Sequence, residues 1–195
     1  MLRGLALAAL CAGCAQPADP VDAVAMAEGV RLVADGGPLR ALTAERVAMA
    51  GEDRAEASGV SAELAGGIPL TIRAEKSSWE LKTRRAVFEG AVEAERGSFH
   101  LSCQRLEVQA DEAGAPSRAL ATGEVRVSRA PWEARGDSAE LQLAAGVLTL
   151  TGQPRVSDGR SELTGERVVL HMDDERVECD NCTLVLPDPL RAGGR

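Results

Sequence analysis

Three cysteines beyond residue 20 are the side chains of this chain most able to do covalent chemistry. Cys179 and Cys182 are separated only by Asp180 and Asn181. A two-residue Asp-Asn turn would place the two sulfurs across a hairpin, within disulfide range. If Asn181 bends the strand instead, Cys179 turns inward and is able to meet Cys103 from another layer. The sequence leaves both pairings open for the set Cys103, Cys179 and Cys182.

Catalytic and metal chemistry find little support in the remaining residues. A thioredoxin-like Cys-x-x-Cys site needs a helix after its first cysteine, whereas Cys179 lies in a strand-like stretch. The two histidines, His100 and His171, fall at outward positions of predicted strands, with no nucleophile and acid at triad-like spacing. Zinc would lack a fourth ligand at a convincing spacing. We therefore predict a protein that is not an enzyme and has no metal site and no cofactor.

Four acids recur once per segment of about thirty residues: Glu45, Glu75, Asp137 and Glu166. A polysaccharide-cleaving enzyme would gather its carboxylates at one site. These are evenly distributed, which is typical of a solvated row at a corner of a repeated structure.

The acids mark a longer repeat that organises the chain. Each copy has alternating apolar residues, then a small residue, then the acid or a glutamine, then apolar residues in shifted parity. The small residues lie 29 to 33 positions apart, at Ala44, Ala74, Cys103, Gly136 and Gly165. A fixed period of this length is typical of stacked repeats. Because a straight strand cannot change parity without exposing apolar residues, we predict a β-bulge or bend at each small residue.

A second repeat runs between these copies, with Gly90, Gly123, Gly152 and Asn181 in equivalent positions. Glycine and asparagine are the residues that most readily accept positive φ. We interpret this position as a second bend within a strand. Gly29 and Gly59 are weaker candidates for the same position, because their flanking residues match the repeat poorly.

Period-two alternation from Val30 to Leu186 predicts an all-β fold of short strands joined by Gly- and Asp-containing turns. The clearest predicted strands are 91–95, 99–109, 124–128, 132–143, 147–156 and 162–172. The interior must be aliphatic, because the chain has two Trp, two Phe and no Tyr. The net charge of −8 argues against nucleic acid as a partner, which requires a basic face.

The N-terminus predicts export. Residues 1–14 have a basic start, an apolar stretch too short to span a bilayer, and an ending at Cys14 that resembles a bacterial lipobox, with Cys11 where leucine is usual. We predict a lipoprotein signal peptide lipidated at Cys14. Residues 15–29 are predicted to be a tether, with a short Ala-rich helix near 21–28, and residues 188–195 a disordered tail.

The repeated phrases at 139–156 and 163–170 resemble the OstA-like domain of the lipopolysaccharide-export family, which includes LptA, LptC and the N-terminal part of LptD. The resemblance covers about residues 65 to 187 well and 30 to 64 loosely, and we place the domain at 30–187. It implies an open, V-shaped β-jellyroll in the periplasm, whose apolar groove holds lipid acyl chains. The predicted lipid anchor, in place of the transmembrane anchor of LptC, leaves open whether the chain is an LptA-like bridge, an LptC-like docking subunit or an accessory relative, and which membrane holds the anchor.

The apolar residues at inward positions of the predicted strands are candidates for lining the groove that the resemblance implies. They are Ile72, Trp79, Phe88, Val92, Phe99, Leu101, Val125, Trp132, Leu141, Leu148, Leu150, Val156, Leu163, Val168 and Leu170. The implied partners are lipopolysaccharide through its lipid A, other Lpt jellyroll domains joined by strand pairing at the sheet edges, and the inner-membrane export transporter or the outer-membrane translocon. The rival interpretation is a structural β-solenoid lipoprotein that joins proteins and holds no lipid. A dry, tightly packed interior would favour that rival.

Overall fold

The structure is a computed structural model that describes residues 26–33, 39–172 and 176–186. The predicted signal peptide with Cys14, most of the predicted tether and the predicted tail lie outside the described residues. The described residues form fourteen antiparallel strands in one unclosed sheet, as the alternation predicted. Their bounds are β1 Met26–Val33, β2 Leu39–Met49, β3 Arg54–Leu64, β4 Leu70–Glu80, β5 Arg85–Arg96, β6 Phe99–Ala110, β7 Pro116–Arg129, β8 Trp132–Gln142, β9 Val147–Thr151, β10 Arg155–Ser157, β11 Glu162–Thr164, β12 Arg167–His171, β13 Val177–Asp180 and β14 Thr183–Val185.

Strands β4 to β8 each bend in the middle, and the bends align across the sheet. The ladder between β4 and β5 shifts register between Arg73 and Lys76, and the β7–β8 ladder shifts between Thr122 and Val125. The intervening ladders shift at the equivalent places. The row of bends forms a corner that divides the sheet into two arms, and the predicted parity shift therefore reflects real bulges.

Beyond β8 the corner breaks each strand into two pieces. The chain from 147 to 157 becomes β9 and β10, that from 162 to 171 becomes β11 and β12, and that from 177 to 185 becomes β13 and β14. The pieces β10, β11 and β14 continue one arm, which we call arm A, while β9, β12 and β13 continue the other, arm B. The single strands predicted for 147–156 and 162–172 are thus each two strands, because the corner interrupts the hydrogen-bonded ladder.

Two further strands start earlier than predicted. β5 begins at Arg85 rather than residue 91, and β7 begins at Pro116 rather than residue 124. The consecutive apolar residues 86–88 obscure the alternation at the start of β5. In β7, the outward Leu120 has the same effect between the buried Ala119 and Ala121.

The N-terminal strand also replaces part of a predicted element. β1 begins at Met26 and pairs with β2, with Met26 opposite Ala48 and Glu28 opposite Arg46. Residues 26–28 are therefore strand rather than helix, and regular structure starts four residues before the domain boundary predicted at 30. The ladder to β2 overrides the helix propensity of an Ala-rich segment.

Candidate functional site

The interior between the two arms is the candidate site, and all the predicted groove residues face it. Ten are buried: Ile72, Phe88, Val92, Leu101, Val125, Leu148, Leu150, Val156, Val168 and Leu170. The other five are half-buried and pack against that core: Trp79, Phe99, Trp132, Leu141 and Leu163. The alternation therefore identified the inward face correctly, which places these side chains without showing that any of them touches a ligand.

Small side chains form much of the same lining and were not among the predicted residues. Ala62, Ala121, Ala134 and Ala139 have no solvent-exposed area. Their facing was available from strand parity, but alanine carries too little hydropathy to stand out against neighbouring polar residues. Side chains of this size allow the two facing arms to lie close together and leave a narrow interior.

The interior is largely packed. An apolar gap of about 30 Å³ lies between the arms, where Phe99 and Leu101 of arm A face Leu141 and Leu148 of arm B. A larger apolar gap of about 140 Å³ lies between the ends of β3, β4, β6 and β7, lined by Leu64, Trp79, Leu81, Val108 and Pro116, among others. An engineered apolar cavity of similar size, about 150 Å³, holds one benzene. The site as it stands accommodates a short apolar group, and a longer one requires the arms to separate.

The aromatic residues stand in two separate pairs within this interior, one on β4 and β5 and the other on β6 and β8. Trp79 contacts Phe88 edge-on at 5.4 Å between ring centroids, and its Nε1 donates to Ser77 Oγ at 2.9 Å. Phe99 contacts Trp132 edge-on at 5.8 Å. Each tryptophan therefore reports on a different part of the site.

At the corner, each predicted acid packs against the bend of the following strand. A Cβ built on Gly90 would lie 2.8 Å from Cδ of Glu75, and one on Gly152 would lie 2.7 Å from Cγ of Asp137. Glu45 stands in the same way over Gly59, and Gln104 over Gly123. These contacts form a continuous row along the corner. The acids are thus structural neighbours of the bends, in addition to facing solvent.

Positive φ is the second reason for glycine in this row. Gly90 has φ +80°, and Gly152 has φ +75°. Asn181 completes the row with φ +51° and donates from Nδ2 to Glu166 Oε2 at 2.9 Å. The predicted bend position is therefore present at all four residues, and Gly59, a weaker candidate on the sequence, belongs to it as well, with φ +59°.

The cysteines combine features of both predicted arrangements. Cys179 and Cys182 form a disulfide with their Cα atoms 6.0 Å apart, while Asn181 occupies the bend. No hairpin is involved, because β13 and β14 are pieces of one broken strand. Cys103 is a buried free thiol on β6, which is separated from β13 by β7, β8, β9 and β12. Since adjacent strands are about 4.8 Å apart, Cys103 is too distant to pair with Cys179.

Burial changes the chemistry of the free thiol. Desolvation raises the pKa of Cys103 from 9.0 to about 11, against the opposing effect of backbone hydrogen bonds at Arg105 and Thr122. A protonated, buried thiol is a poor nucleophile. Cys103 therefore acts as a small apolar residue at the corner, in line with Ala44 and Ala74.

The outer face carries charge pairs between neighbouring strands. Arg85 makes two hydrogen bonds of 2.6 Å to the Glu107 carboxylate, which lowers the pKa of Glu107. His100 is exposed, with Nδ1 3.9 Å from Glu95, whereas His171 is half-buried and its Nε2 lies 3.1 Å from Glu178. Within residues 26–33, 39–172 and 176–186, no cluster of three or more metal-binding side chains occurs. Helices long and apolar enough to cross a bilayer are likewise absent from this part of the chain.

Among the strands of the described residues, those at both ends of the sheet pair on one side only. β1 pairs with β2, β13 with β12, and β14 with β11. Leu184 and Val185 of β14 are each 56% exposed. Such edges present unpaired backbone groups to another strand.

Comparison with known proteins places this geometry in a family. The fold matches the crystal structure of LptH, described as the LptA-homologous periplasmic component of the lipopolysaccharide transport device from Pseudomonas aeruginosa, with a TM-score of 0.58 at 17% identity, over 62% of this chain and 96% of that one. No curated protein sequence matches the chain. The family model described as "LptA/(LptD N-terminal domain) LPS transport protein" matches residues 71–176, more than half of the 195 residues. The chain therefore belongs to the LptA/LptD N-terminal domain family of lipopolysaccharide transport proteins, which are transport proteins rather than enzymes.

Proposed function

We propose that this protein is a periplasmic component of lipopolysaccharide export that holds acyl chains between the two arms of its sheet. The observation that carries the proposal is the continuous aliphatic interior of an unclosed sheet in a chain of this family. Acyl chains gain about 0.8 kcal/mol for each CH₂ they bury. An interior of Val, Leu and Ala supplies that burial without polar groups that would have to be desolvated.

Binding requires the arms to move apart, because the interior side chains contact one another. The corner is the natural hinge, since glycines at its bends lack side chains that would restrict the backbone. Apolar contacts between the arms would be exchanged for contacts with acyl chains, so the net cost of opening is offset by the ligand. The gap lined by Trp79 and Val108 offers a place for the first methylenes.

The unpaired edges β1 and β14 support the second part of the proposal, in which other jellyroll domains of the export system add strands at these edges. Exposed apolar side chains on β14 would be covered by such a contact. We also propose that lipidation at Cys14, which becomes the first residue after removal of residues 1–13, anchors the chain to a membrane through the segment before β1. Radiolabelled fatty acid should label the wild type and leave Cys14→Ala unlabelled.

Thermal unfolding with two related ligands tests the acyl-chain proposal. Purified lipopolysaccharide at about 100 times its Kd would add about 2.7 kcal/mol to the free energy of unfolding, a rise of roughly 5–10 °C for a chain of this size. Fully deacylated lipopolysaccharide keeps the sugars and phosphates and is the matched control, for which we expect no shift. Equal shifts with both ligands would show that the sugars, not the acyl chains, are bound.

The packed interior favours a second candidate function, that of a structural protein that holds no lipid. A structural β-solenoid that joins proteins through β1 and β14 would need no ligand between its arms. It predicts no shift with either form of lipopolysaccharide, together with self-association or partner binding that a proline in β14 abolishes. The acylated ligand therefore separates the two candidates.

A further inference from the structure

Two arginines tie the tips of the arms together on one half of the open side of the sheet. Arg96, at the end of β5 in arm A, donates from Nη1 to the carbonyl oxygen of Leu143 in arm B at 3.0 Å. Arg129, at the end of β7 in arm A, donates from Nη1 to the carbonyl oxygen of Met172 in arm B at 2.7 Å. Both bonds join residues more than forty positions apart, and both are partly buried. We call these two bonds the clasp.

The clasp is built into the apolar lining beneath it. The Arg129 guanidinium lies 5.0 Å from the centroid of the Phe99 ring, and Phe99 in turn contacts Trp132. Arg96, Phe99, Leu143 and Met172 all line the gap of about 30 Å³ between the arms. The clasp thus closes the open side above this gap.

The other half of the open side is arranged differently. The apolar gap of about 140 Å³ opens there between Leu64 at the tip of arm A and Trp79 and Leu81 on arm B. Leu81 is exposed, and the Val108 side chain of the gap belongs to the buried core. An apolar passage therefore leads from solvent to the interior at the Trp79 end, away from the clasp.

We propose that this gap is the admission site for single acyl chains and that the Arg96–Arg129 clasp controls their passage to the Trp132 end of the interior. This inference rests on the proposed function, because it assumes that acyl chains occupy the interior. The gap is too small for the face of a protein helix, and most of its exposed lining is apolar, which suits a hydrocarbon chain, although Glu80, Arg84 and Arg85 also line it. Reaching Trp132 requires the clasp bonds to break, so only the fraction of molecules with separated arms binds there.

The two tryptophans make the proposal measurable, because they are the only ones in the chain. The probe is a dodecanoic acid brominated at its methyl end, which quenches tryptophan fluorescence on contact. Trp132→Phe leaves Trp79 as the reporter of the admission site, and Trp79→Phe leaves Trp132 as the reporter beneath the clasp. Each reporter protein is then combined with Arg96→Met and Arg129→Met, which remove the donors and keep the apolar stems. Arg73→Met, which removes an exposed Arg73–Glu95 pair of the outer face, is the control.

We expect the probe to quench Trp79 in the intact protein and to quench Trp132 only at much higher concentration. Loss of a hydrogen bond from a charged donor should raise the open fraction about tenfold. The Arg96→Met/Arg129→Met variant should therefore lower the half-quenching concentration at Trp132 by at least about tenfold. Half-quenching at Trp79 should change little, and Arg73→Met should match the intact protein at both reporters.

Other outcomes have distinct meanings. Quenching of both tryptophans at the same concentration in the intact protein would overturn the clasp while leaving acyl-chain binding in place. Weaker quenching of Trp132 in the double variant would also overturn it, because the arginines would then be holding the probe's carboxylate. No quenching of either tryptophan in any protein that retains its circular dichroism spectrum would refute the proposed function itself.

Discussion

Gly165 provides a sharp test of the corner, because its environment is set by the disulfide. A Cβ built on Gly165 would lie 2.6 Å from Sγ of Cys179, 2.8 Å from the carbonyl oxygen of Asp180 and 3.0 Å from Sγ of Cys182. Real Cβ atoms do not approach other atoms so closely, and neither a disulfide nor a backbone carbonyl can easily move away. Overpacking of this kind costs about 1–3 kcal/mol. We expect about 2 kcal/mol for Gly165→Ala and about 3 kcal/mol for Gly165→Val.

Thermal and urea unfolding measure this prediction. A loss of about 3 kcal/mol corresponds to a fall in Tm of roughly 6–12 °C for a chain of this size. Gly67→Val is the matched control, because a Cβ at Gly67 meets nothing within 4 Å. That variant should stay within about 0.5 kcal/mol of the wild type.

The disulfide also allows the cause of the effect to be tested. Two of the three close contacts are sulfur atoms, so Gly165→Val should cost at least about 1 kcal/mol less in a Cys179→Ser/Cys182→Ser background, a coupling of the size seen between residues in contact. If Gly165→Val is as stable as Gly67→Val, the corner is not crowded at this position and the reasoning fails. An undiminished cost in the serine background would assign the effect to the Asp180 backbone alone.

Three further predictions follow from the bends and the titratable groups. Gly90→Ala should lower the free energy of unfolding, measured in urea, by about 1–2 kcal/mol more than Gly51→Ala. Both glycines have positive φ, but only Gly90 lies against a neighbouring side chain, that of Glu75. Equal losses would mean that Glu75 moves freely. Cys103, with its pKa raised to about 11, should resist iodoacetamide at pH 8 until the chain is unfolded, and labelling of the native protein would contradict its burial. Its contribution to stability should be complete below pH 9.0 and lost as the pH rises through 11. The Arg85 guanidinium lowers the pKa of Glu107 from 4.5, so Glu107→Gln should reduce the free energy of unfolding at neutral pH. The difference in stability from the wild type should shrink as the pH falls below 4.5. A difference that persists at pH 2 would mean that the substitution acts through packing.

The repeat was the part of the fold that the sequence specified most fully. Gly90, Gly123, Gly152 and Asn181 recur at intervals of 29 to 33 residues because each bend needs a residue that tolerates positive φ. The small residues at 44, 74, 103, 136 and 165 recur because neighbouring strands approach closely at the corner. Backbone geometry that imposes one residue type at one position leaves a visible pattern, and the all-β class followed from it.

Features that depend on strand pairing were less visible. The start of β1 at Met26 depends on its ladder with β2, which no local pattern encodes. The early start of β7 was hidden because outward Leu120 is more apolar than its inward neighbour Ala119. The disulfide pairing could not be predicted without the strand order. The order places Cys103 too far from Cys179 to form a bond with it.

The sequence predicted which side chains point into the interior, but not how closely the two arms pack together. Parity placed Phe88, Val92 and Leu150 inward, where each is fully buried. Parity contains no information on how far the arms separate, so neither the packed interior nor the arginine clasp could be predicted. Arg96 and Arg129 are ordinary strand-end residues in the sequence and acquire their role only when the two arms meet.

The central claim is that acyl chains of lipopolysaccharide occupy the space between the arms, and photo-crosslinking in cells tests it most directly. Phe99 lines the interior, whereas the adjacent His100 faces solvent on the same strand. A benzophenone side chain in place of Phe99 keeps an aromatic group at this position and adds a second ring. The same group at His100 is the matched control. We predict a lipopolysaccharide adduct at position 99, and at the deeper position 150, with none at position 100. The absence of an adduct at both inward positions, in proteins that remain folded, would contradict the claim.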